Sequence, residues 1–168
     1  SGSAETPNAD PLNRLLWRQN PRRLDAESIR DFLLAASGLL KPHGDGKPFW
    51  PPVPDELLKA QPAILEAEKG GDGGRMQGWY SDPADRLDVR SVYLIRKRCL
   101  PIPFLQAFDL PDSTVSCARR DTTIVAPQAL TLLNSPEASR YAAALAARAQ
   151  ASAASIEGRV DTLFRLEI

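Results

Sequence analysis

The sequence predicts a mainly α-helical domain of irregular shape, with long loops rich in proline and glycine and at most one short strand pair. Apolar residues recur at the spacing of amphipathic helices over 25–40, 127–133 and 156–166, and an alanine-rich helical pattern covers 136–154. The 168 residues also include 15 prolines and 10 glycines. Because both residue types interrupt regular elements and favour turns, long irregular loops should connect the helices.

The clearest helix begins near Asp25, whose short acidic side chain suits an N-cap. Leu24 and Ile29 occupy the hydrophobic-staple positions around it, and Gly38 is placed to end the helix. The charged residues of this helix, Arg30 among them, are expected on its solvent-facing surface. Helical spacing also predicts which apolar side chains form the core. They are Ile29, Phe32, Leu33, Leu130, Leu133, Leu163 and Phe164.

Shorter elements are predicted on either side of the main helices. Apolar residues in 12–17 suggest a short amphipathic helix, and another is expected over 55–60 after a proline. The segment 89–100 is ambiguous, because its β-branched and aromatic content favours a strand while its charged end favours a helix. Pro127 suits the first turn of a helix, and Ser135 is a good N-cap for the next one.

The loops differ in how firmly they should be held. The segment 41–54 should be an ordered loop, because the rings of Phe49 and Trp50 favour burial. Residues 69–78 contain five glycines and are expected to form a flexible surface loop. Residues 1–10 resemble a disordered leader or cloning remnant. Residues 11–168 are then interpreted as a single helical domain that is itself a fragment of a larger one.

Charge and hydropathy argue against two classes of partner. The chain has 21 basic and 21 acidic residues, and this balance makes nucleic-acid binding a poor hypothesis. The short basic runs 22–23 and 96–98 fit solvated helix faces or interdomain salt bridges better than a nucleic-acid patch. No apolar run approaches the roughly 20 residues that a membrane helix needs. We therefore expect no membrane span.

The densest cluster of charged side chains lies between 109 and 121. Two nearby carboxylates can divide acid and base roles, and an arginine pair can clamp a carboxylate or sulfate group. The alternative is structural: Asp109 and Asp112 cap turns around Pro111 while the arginines bridge to other segments of the fold. In that case the acids are expected to pair with Arg119, Arg120 or the basic run 96–98, which keeps the irregular segment ordered. We favour this structural interpretation. The candidate ligand-binding residues of the cluster are Asp109, Asp112, Arg119 and Arg120.

Trp79 and Tyr80 are the best candidates for a carbohydrate platform. They follow the glycine-rich loop and precede a polar turn. Large aromatic rings beside polar loops bind sugars in some proteins, but they more often anchor irregular segments to the core. Anchoring is therefore the favoured interpretation.

The sequence offers no self-sufficient metal or haem site. The haem-attachment motif C-x-x-C-H is absent, so covalent haem attachment within this chain is excluded. Cys99, Cys117 and His43 would supply only three soft zinc ligands from three separate segments. We expect instead that the two cysteines are buried or paired, and that the chain holds no cofactor of its own.

Several long stretches, in a fixed order, resemble one protein family. They are NRLLWRQNPRRLDAESIRDFLLAASG (13–38), KPFWPPVPDELL (47–58), GWYSDP (78–83), VRSVYLIRKR (89–98), PFLQAFDLPDSTVSCARRDTT (103–123) and VAPQALTLLNSPEA (125–138). Together they are similar to a C-terminal domain of unknown function from large planctomycete proteins, which often carry a cytochrome-c-like haem domain upstream. The resemblance implies a secreted or periplasmic setting and haem, if any, elsewhere in the parent protein. It brings no established activity and no catalytic residues.

Two functional hypotheses follow. The first is a non-catalytic structural or interaction module that contacts other domains of the same parent chain. The second is a part of a carbohydrate-active hydrolytic or redox enzyme, to which this chain contributes an Asp/Arg pocket wall. The two are distinguished by geometry, because a pocket wall requires the charged candidates to converge on an open cleft.

Overall fold

The computed structural model of the chain describes residues 10–20, 22–42, 46–61, 64 and 78–166. Two 3-10 turns, Ala84–Arg86 and Ser91–Tyr93, precede the longer helices of the second half. The predicted mainly helical fold is confirmed, since the described residues contain six α-helices and no strand. In chain order these are α1 (Ala26–Ser37), α2 (Asp55–Lys59), α3 (Pro103–Ala107), α4 (Ala126–Asn134), α5 (Pro136–Ser152) and α6 (Ile156–Leu166).

Extended pairing among the described residues is limited to isolated bridges. The backbone of Phe49 accepts a hydrogen bond from the Ile95 N–H and donates one to the Tyr93 carbonyl, both at 2.9 Å. A second bridge joins Lys97 to Leu100 around a tight turn. The ambiguous segment 89–100 thus forms neither a strand nor an α-helix.

The helix ends follow local sequence signals in part. Gly38 terminates α1 in the left-handed conformation, with φ of 74°, a backbone geometry that glycine adopts without steric cost. The Ser135 hydroxyl caps α5 by accepting a hydrogen bond from the Ala138 N–H at 3.1 Å. Asp25 stands at the N-cap position of α1, but its side chain makes no capping hydrogen bond. Its carboxylate instead lies 3.7 Å from the guanidinium of Arg120.

The long helix α5 lies at the centre of the helical packing. It contacts α1, α4 and α6, while α1 also packs against α3 and the 3-10 turn Ser91–Tyr93. A helical core forms where these elements meet. A second cluster, which we call the tryptophan cluster, lies among the loops. The helical core contains Ala26, Ile102, Phe104, Leu105, Phe108 and Ala138; the tryptophan cluster contains Trp50, Val53, Ile64, Trp79 and Leu100.

Several residues that were predicted to form the core are not fully buried. Ile29 and Leu33 pack against the helical core but are only partly buried, and Phe32 is 39% exposed. The reason is that α1 turns a different face inward. That face includes Arg30 and Leu34, both buried, because the guanidinium of Arg30 finds hydrogen-bond partners inside the fold. The expectation that Arg30 lies on the surface is therefore also wrong.

The apolar faces of α4 and α6 are exposed in the described part of the chain. Leu130 is 56% exposed, Leu133 75% and Phe164 65%, whereas Leu163 is partly buried. These helices cover little of one another, since α6 packs on α5 and α4 packs on α3 and α5. A helical pattern predicts an apolar face, but the neighbouring elements decide whether that face is covered.

The predicted helix over 12–17 is replaced by a series of turns. Asn13 and Leu16 have positive φ angles of 52° and 53°, which a right-handed helix does not allow. The cause is local competition for backbone donors. The Asp10 carboxylate accepts hydrogen bonds from the N–H groups of Arg14 and Leu15 at 2.9 and 2.7 Å.

Some expectations concern residues outside the described part. The predicted flexible loop 69–78 falls there except for Gly78, the predicted leader 1–10 except for Asp10, and His43 entirely. Among the described residues, no helix is both long enough and apolar enough to cross a membrane.

Candidate functional site

Asp109 fastens the base of the loop between α3 and α4. Its carboxylate accepts hydrogen bonds from the backbone N–H and the hydroxyl of Thr123, both at 2.8 Å, and pairs with the Arg23 guanidinium at 2.9 Å. The Gln128 amide of α4 donates to the Thr123 carbonyl at 3.1 Å and so extends the network. The hydrogen bonds from Thr123, helped by Arg23, lower the pKa of Asp109. Asp109 therefore joins the two ends of the loop to the segment before α1.

Asp112 has a partner within the loop, whereas the Arg119 side chain has none among the described residues. The Asp112 carboxylate accepts a hydrogen bond from the Thr114 N–H at 2.8 Å, which with nearby Arg96 lowers the pKa of Asp112. The Arg119 side chain is exposed and has no hydrogen-bond partner among the described residues. These two side chains are thus not brought together in one pocket.

Arg120 binds across to the first turn of α1. Its guanidinium donates to both carboxylate oxygens of Glu27, at 2.7 and 3.1 Å. Burial disfavours the charge on Glu27, but the hydrogen bonds and charge of Arg120 outweigh burial and lower the pKa of this carboxyl group. The expected pairing of Asp109 with Arg119, Arg120 or the basic run 96–98 is wrong, because its partner is Arg23, 86 positions away in sequence. Asp109, Asp112 and Arg120 are held apart by different partners, and the Arg119 side chain has none among the described residues.

Trp79 anchors the segment after the glycine-rich stretch. It is only 3% exposed, lies edge-on to Trp50 with ring centroids 5.0 Å apart, and donates its indole N–H to the Pro51 carbonyl at 3.0 Å. Tyr80 is partly exposed, and its ring lies so close to Gly78 that a Cβ there would approach it to 2.8 Å. Trp79 is thus part of the tryptophan cluster and anchors this segment to it.

A polar network that the sequence did not reveal connects α1 to the loop before Ser91. The buried guanidinium of Arg30 donates to the carbonyls of Leu87 and Val89 at 2.7 and 2.9 Å and to the Ser91 hydroxyl at 3.1 Å. It also lies 5.3 Å from the centroid of the Phe49 ring. Arg30 therefore connects three parts of the chain around one side chain.

Arg140 of α5 makes a bidentate pair with a nearly buried carboxylate. Its guanidinium nitrogens lie 2.6 and 3.1 Å from the oxygens of Asp88, whose side chain is 8% exposed. The hydrogen bonds to Asp88 raise the pKa of Arg140. The guanidinium also lies 5.0 Å from the ring centroid of Tyr141. This pair fixes the orientation of Arg140 on the exposed side of α5.

Three adjoining concavities along α5 share Glu137, and together we call them the Glu137 groove. The two wider ones have volumes of about 430 Å³ each, and the inner one about 80 Å³. No described residue forms an ion pair or hydrogen bond with the Glu137 carboxylate. The side chains that shape the groove include Pro54, Phe104, Leu130, Glu137, Arg140 and Tyr141. The sequence alone assigns Glu137 no functional role, because the groove is built by segments distant in sequence.

The cysteines differ from expectation. Cys99 and Cys117 are both exposed and unpaired, so the prediction that they are buried or bonded is wrong. Within the described ranges, no group of three or more histidine, cysteine or acidic side chains is arranged to hold a metal ion.

Comparison with known proteins places the chain in a family. No curated protein and no solved structure gives a significant match. The profile of the family described as "Protein of unknown function (DUF1553)" matches residues 1–168. The chain therefore belongs to this DUF1553 family of proteins of unknown function.

Proposed function

We propose that the chain is a non-catalytic interaction module of a multidomain protein and docks on other domains of the same parent chain. The observation that carries this proposal is the exposed apolar surface of α4 and α6. Leu133 and Phe164 are 75% and 65% exposed although their helical spacing is typical of buried positions. Large apolar side chains exposed on a helix face commonly mark an interaction site.

The charged candidates support the same proposal. Asp109 and Arg120 are bonded to Arg23 and Glu27, which is the behaviour expected of structural ion pairs. The resemblance to planctomycete proteins supports an extracytoplasmic parent with a haem domain upstream. The parent's other domains are then the natural partners, and any haem would be bound by them.

The proposal is tested by supplying the rest of the parent protein as a separate chain. Burial of one leucine side chain contributes about 1.5–3 kcal/mol, so Leu133→Ser should weaken binding in a calorimetric titration by about tenfold or more. The folding stability of the Leu133→Ser variant should equal that of wild type, because Leu133 is 75% exposed. Val92→Ser is the matched control, since Val92 is 73% exposed but lies outside α4 and α6. Absence of binding, or equal weakening by both substitutions, would contradict the proposal.

A second candidate function, a wall of a carbohydrate-active hydrolytic or redox site, is favoured by one observation. Glu137 carries a carboxylate without a partner among the described residues, beside Arg140 and Tyr141 in the Glu137 groove. A carboxylate and an aromatic ring in one groove are groups that commonly contact sugars. Binding to a panel of immobilised glycans that Glu137→Gln abolishes would support this candidate over simple docking.

A further inference from the structure

Another concavity gathers the basic run 96–98 around a small space. It has a volume of about 120 Å³, room enough for a tetrahedral oxyanion in place of several water molecules. Polar groups from α3 and from the loop after it complete the wall. The described polar side chains that line it are Arg96, Lys97, Arg98, Gln106, Asp112 and Ser113.

Two of the three cations are held in place by neighbouring groups. The Arg96 guanidinium donates one hydrogen bond to the Pro111 carbonyl at 2.6 Å, which leaves its other N–H groups for a ligand. The Lys97 ammonium lies 5.2 Å from the ring centroid of Trp50 and donates to the Gly78 carbonyl at 2.5 Å. The pocket is thus partly pre-organised, which reduces the entropy lost when a ligand binds.

Arg98 completes the positive side of the pocket. Its side chain is exposed, and none of the described residues forms a hydrogen bond or an ion pair with it. The tight turn between Lys97 and Leu100, closed by the Leu100 N–H donating to the Lys97 carbonyl at 3.2 Å, places Arg98 on the pocket wall. A guanidinium there is available to form charge-assisted hydrogen bonds.

The pocket has an excess of positive charge that the chain as a whole lacks. Among the described lining residues, three cations face one carboxylate, Asp112, while the whole sequence has a net charge of zero. One Asp112 oxygen already accepts the Thr114 N–H, and neither Arg96 nor Arg98 forms an ion pair with it. Partial burial lowers the pKa of Lys97, as expected for an ammonium that has lost part of its hydration. A bound anion would neutralise part of the positive charge that Arg96 and Arg98 bring to the pocket.

We propose that this pocket is a binding site for a tetrahedral oxyanion, sulfate or phosphate, in which Arg96 and Arg98 supply guanidinium donors and Lys97 a point charge. Arginine presents several N–H donors in a fixed plane, a geometry that suits oxygens of such groups. The Gln106 amide and the Ser113 hydroxyl add neutral donors at the wall. This site is independent of the docking surface on α4 and α6.

Titration of the purified chain with sodium sulfate and sodium phosphate at low ionic strength tests the site. The intrinsic tryptophan fluorescence should report binding, because Lys97 lies against the Trp50 ring, and calorimetry should give the same affinity. Charge-assisted hydrogen bonds contribute enough that Arg98→Gln should weaken binding by about tenfold. Arg119→Gln is the matched control, an exposed arginine outside the pocket, and should bind as wild type does.

The source of the anion is separated by one further titration. If glucose 6-sulfate binds more tightly than free sulfate, the oxyanion belongs to a larger ligand, and equal affinities indicate a site for the free ion. Both results support the site. Absence of saturable binding of either ion would overturn it, and so would equal weakening by Arg98→Gln and Arg119→Gln, since that result indicates non-specific attraction.

Discussion

Arg30 offers the most direct test of how this fold is held together. Its guanidinium is buried and serves as donor to the carbonyls of Leu87 and Val89 and to the Ser91 hydroxyl. Arg30→Met keeps an unbranched aliphatic chain in the same space but removes every donor. The two carbonyls and the hydroxyl then lose their partner while α1 still covers them.

The expected loss of stability can be worked from these contacts. A buried acceptor left unsatisfied costs about 1–3 kcal/mol, so two carbonyls alone cost about 2–6 kcal/mol. Part of this is offset, because methionine no longer buries a charge. A net destabilisation of about 3 kcal/mol is therefore expected for Arg30→Met. That is a large fraction of the roughly 5–15 kcal/mol that stabilises a typical domain.

Urea denaturation followed by far-UV circular dichroism measures this effect. With a denaturant dependence of about 1–3 kcal/mol per molar, the midpoint of Arg30→Met should fall by about 1 M or more. The control is Arg90→Met, because Arg90 is 68% exposed and forms a surface ion pair with Asp31 at 3.6 Å. Removing this exposed pair should lower the free energy of unfolding by less than about 0.5 kcal/mol. If the two variants unfold at the same urea concentration, the assigned role of Arg30 is refuted.

Three further predictions concern charge and burial. Arg140→Met should lower the free energy of unfolding, measured by urea denaturation, by about 1–3 kcal/mol, because it leaves the nearly buried Asp88 unpaired. The control, Arg165→Met, breaks an exposed pair with Asp161 and should change stability by less than about 0.5 kcal/mol. Because the pKa of Asp109 is lowered in the folded state, its ionised carboxylate stabilises the fold at pH values above the ordinary pKa of 3.8, and this stabilisation is lost as the pH falls through the lower folded pKa. Thermal melts between about pH 5 and pH 2 should therefore show a weaker pH dependence of the melting temperature for Asp109→Asn than for wild type. Identical slopes for the two proteins would contradict this prediction. Leu34→Ala, at a fully buried position, should lower the free energy of unfolding by about 2–5 kcal/mol. Phe32→Ala should lower it by only about 1–2 kcal/mol, because the Phe32 ring is 39% exposed. The reverse order in urea denaturation would show that α1 buries its other face.

Local chemistry explains the parts of the fold that were predicted well. Gly38 ends α1 because glycine alone among common residues adopts positive φ without cost, and Ser135 caps α5 through a bond made within its own first turn. The apolar rings of Phe49 and Trp50 are buried as expected, and they hold a proline-rich loop against the fold. The two helix ends depend on residues that are close in sequence, whereas the burial of the two rings also needs distant segments such as those of Trp79 and Ile95.

The candidate site was predicted less well, because its contacts join distant segments. The sequence identified Asp109 and Arg120 as charged residues that need partners, but their partners, Arg23 and Glu27, lie 86 and 93 positions away. The same limit applies to Arg98, whose basic run was interpreted as a solvated face and which the structure places on the wall of a pocket. Charge alone does not show which surface will be concave.

The sequence by itself determined the mainly helical class and the positions of the principal helix ends, since propensity, capping and turn formation act over a few residues. Only the tertiary structure decided which helix faces are buried. The face of α1 that includes Arg30 turns inward because backbone carbonyls near Ser91 accept its donors, and Leu133 of α4 is exposed because no described element covers it. Burial is a property of both surfaces in a contact, and a periodic pattern specifies only one of them.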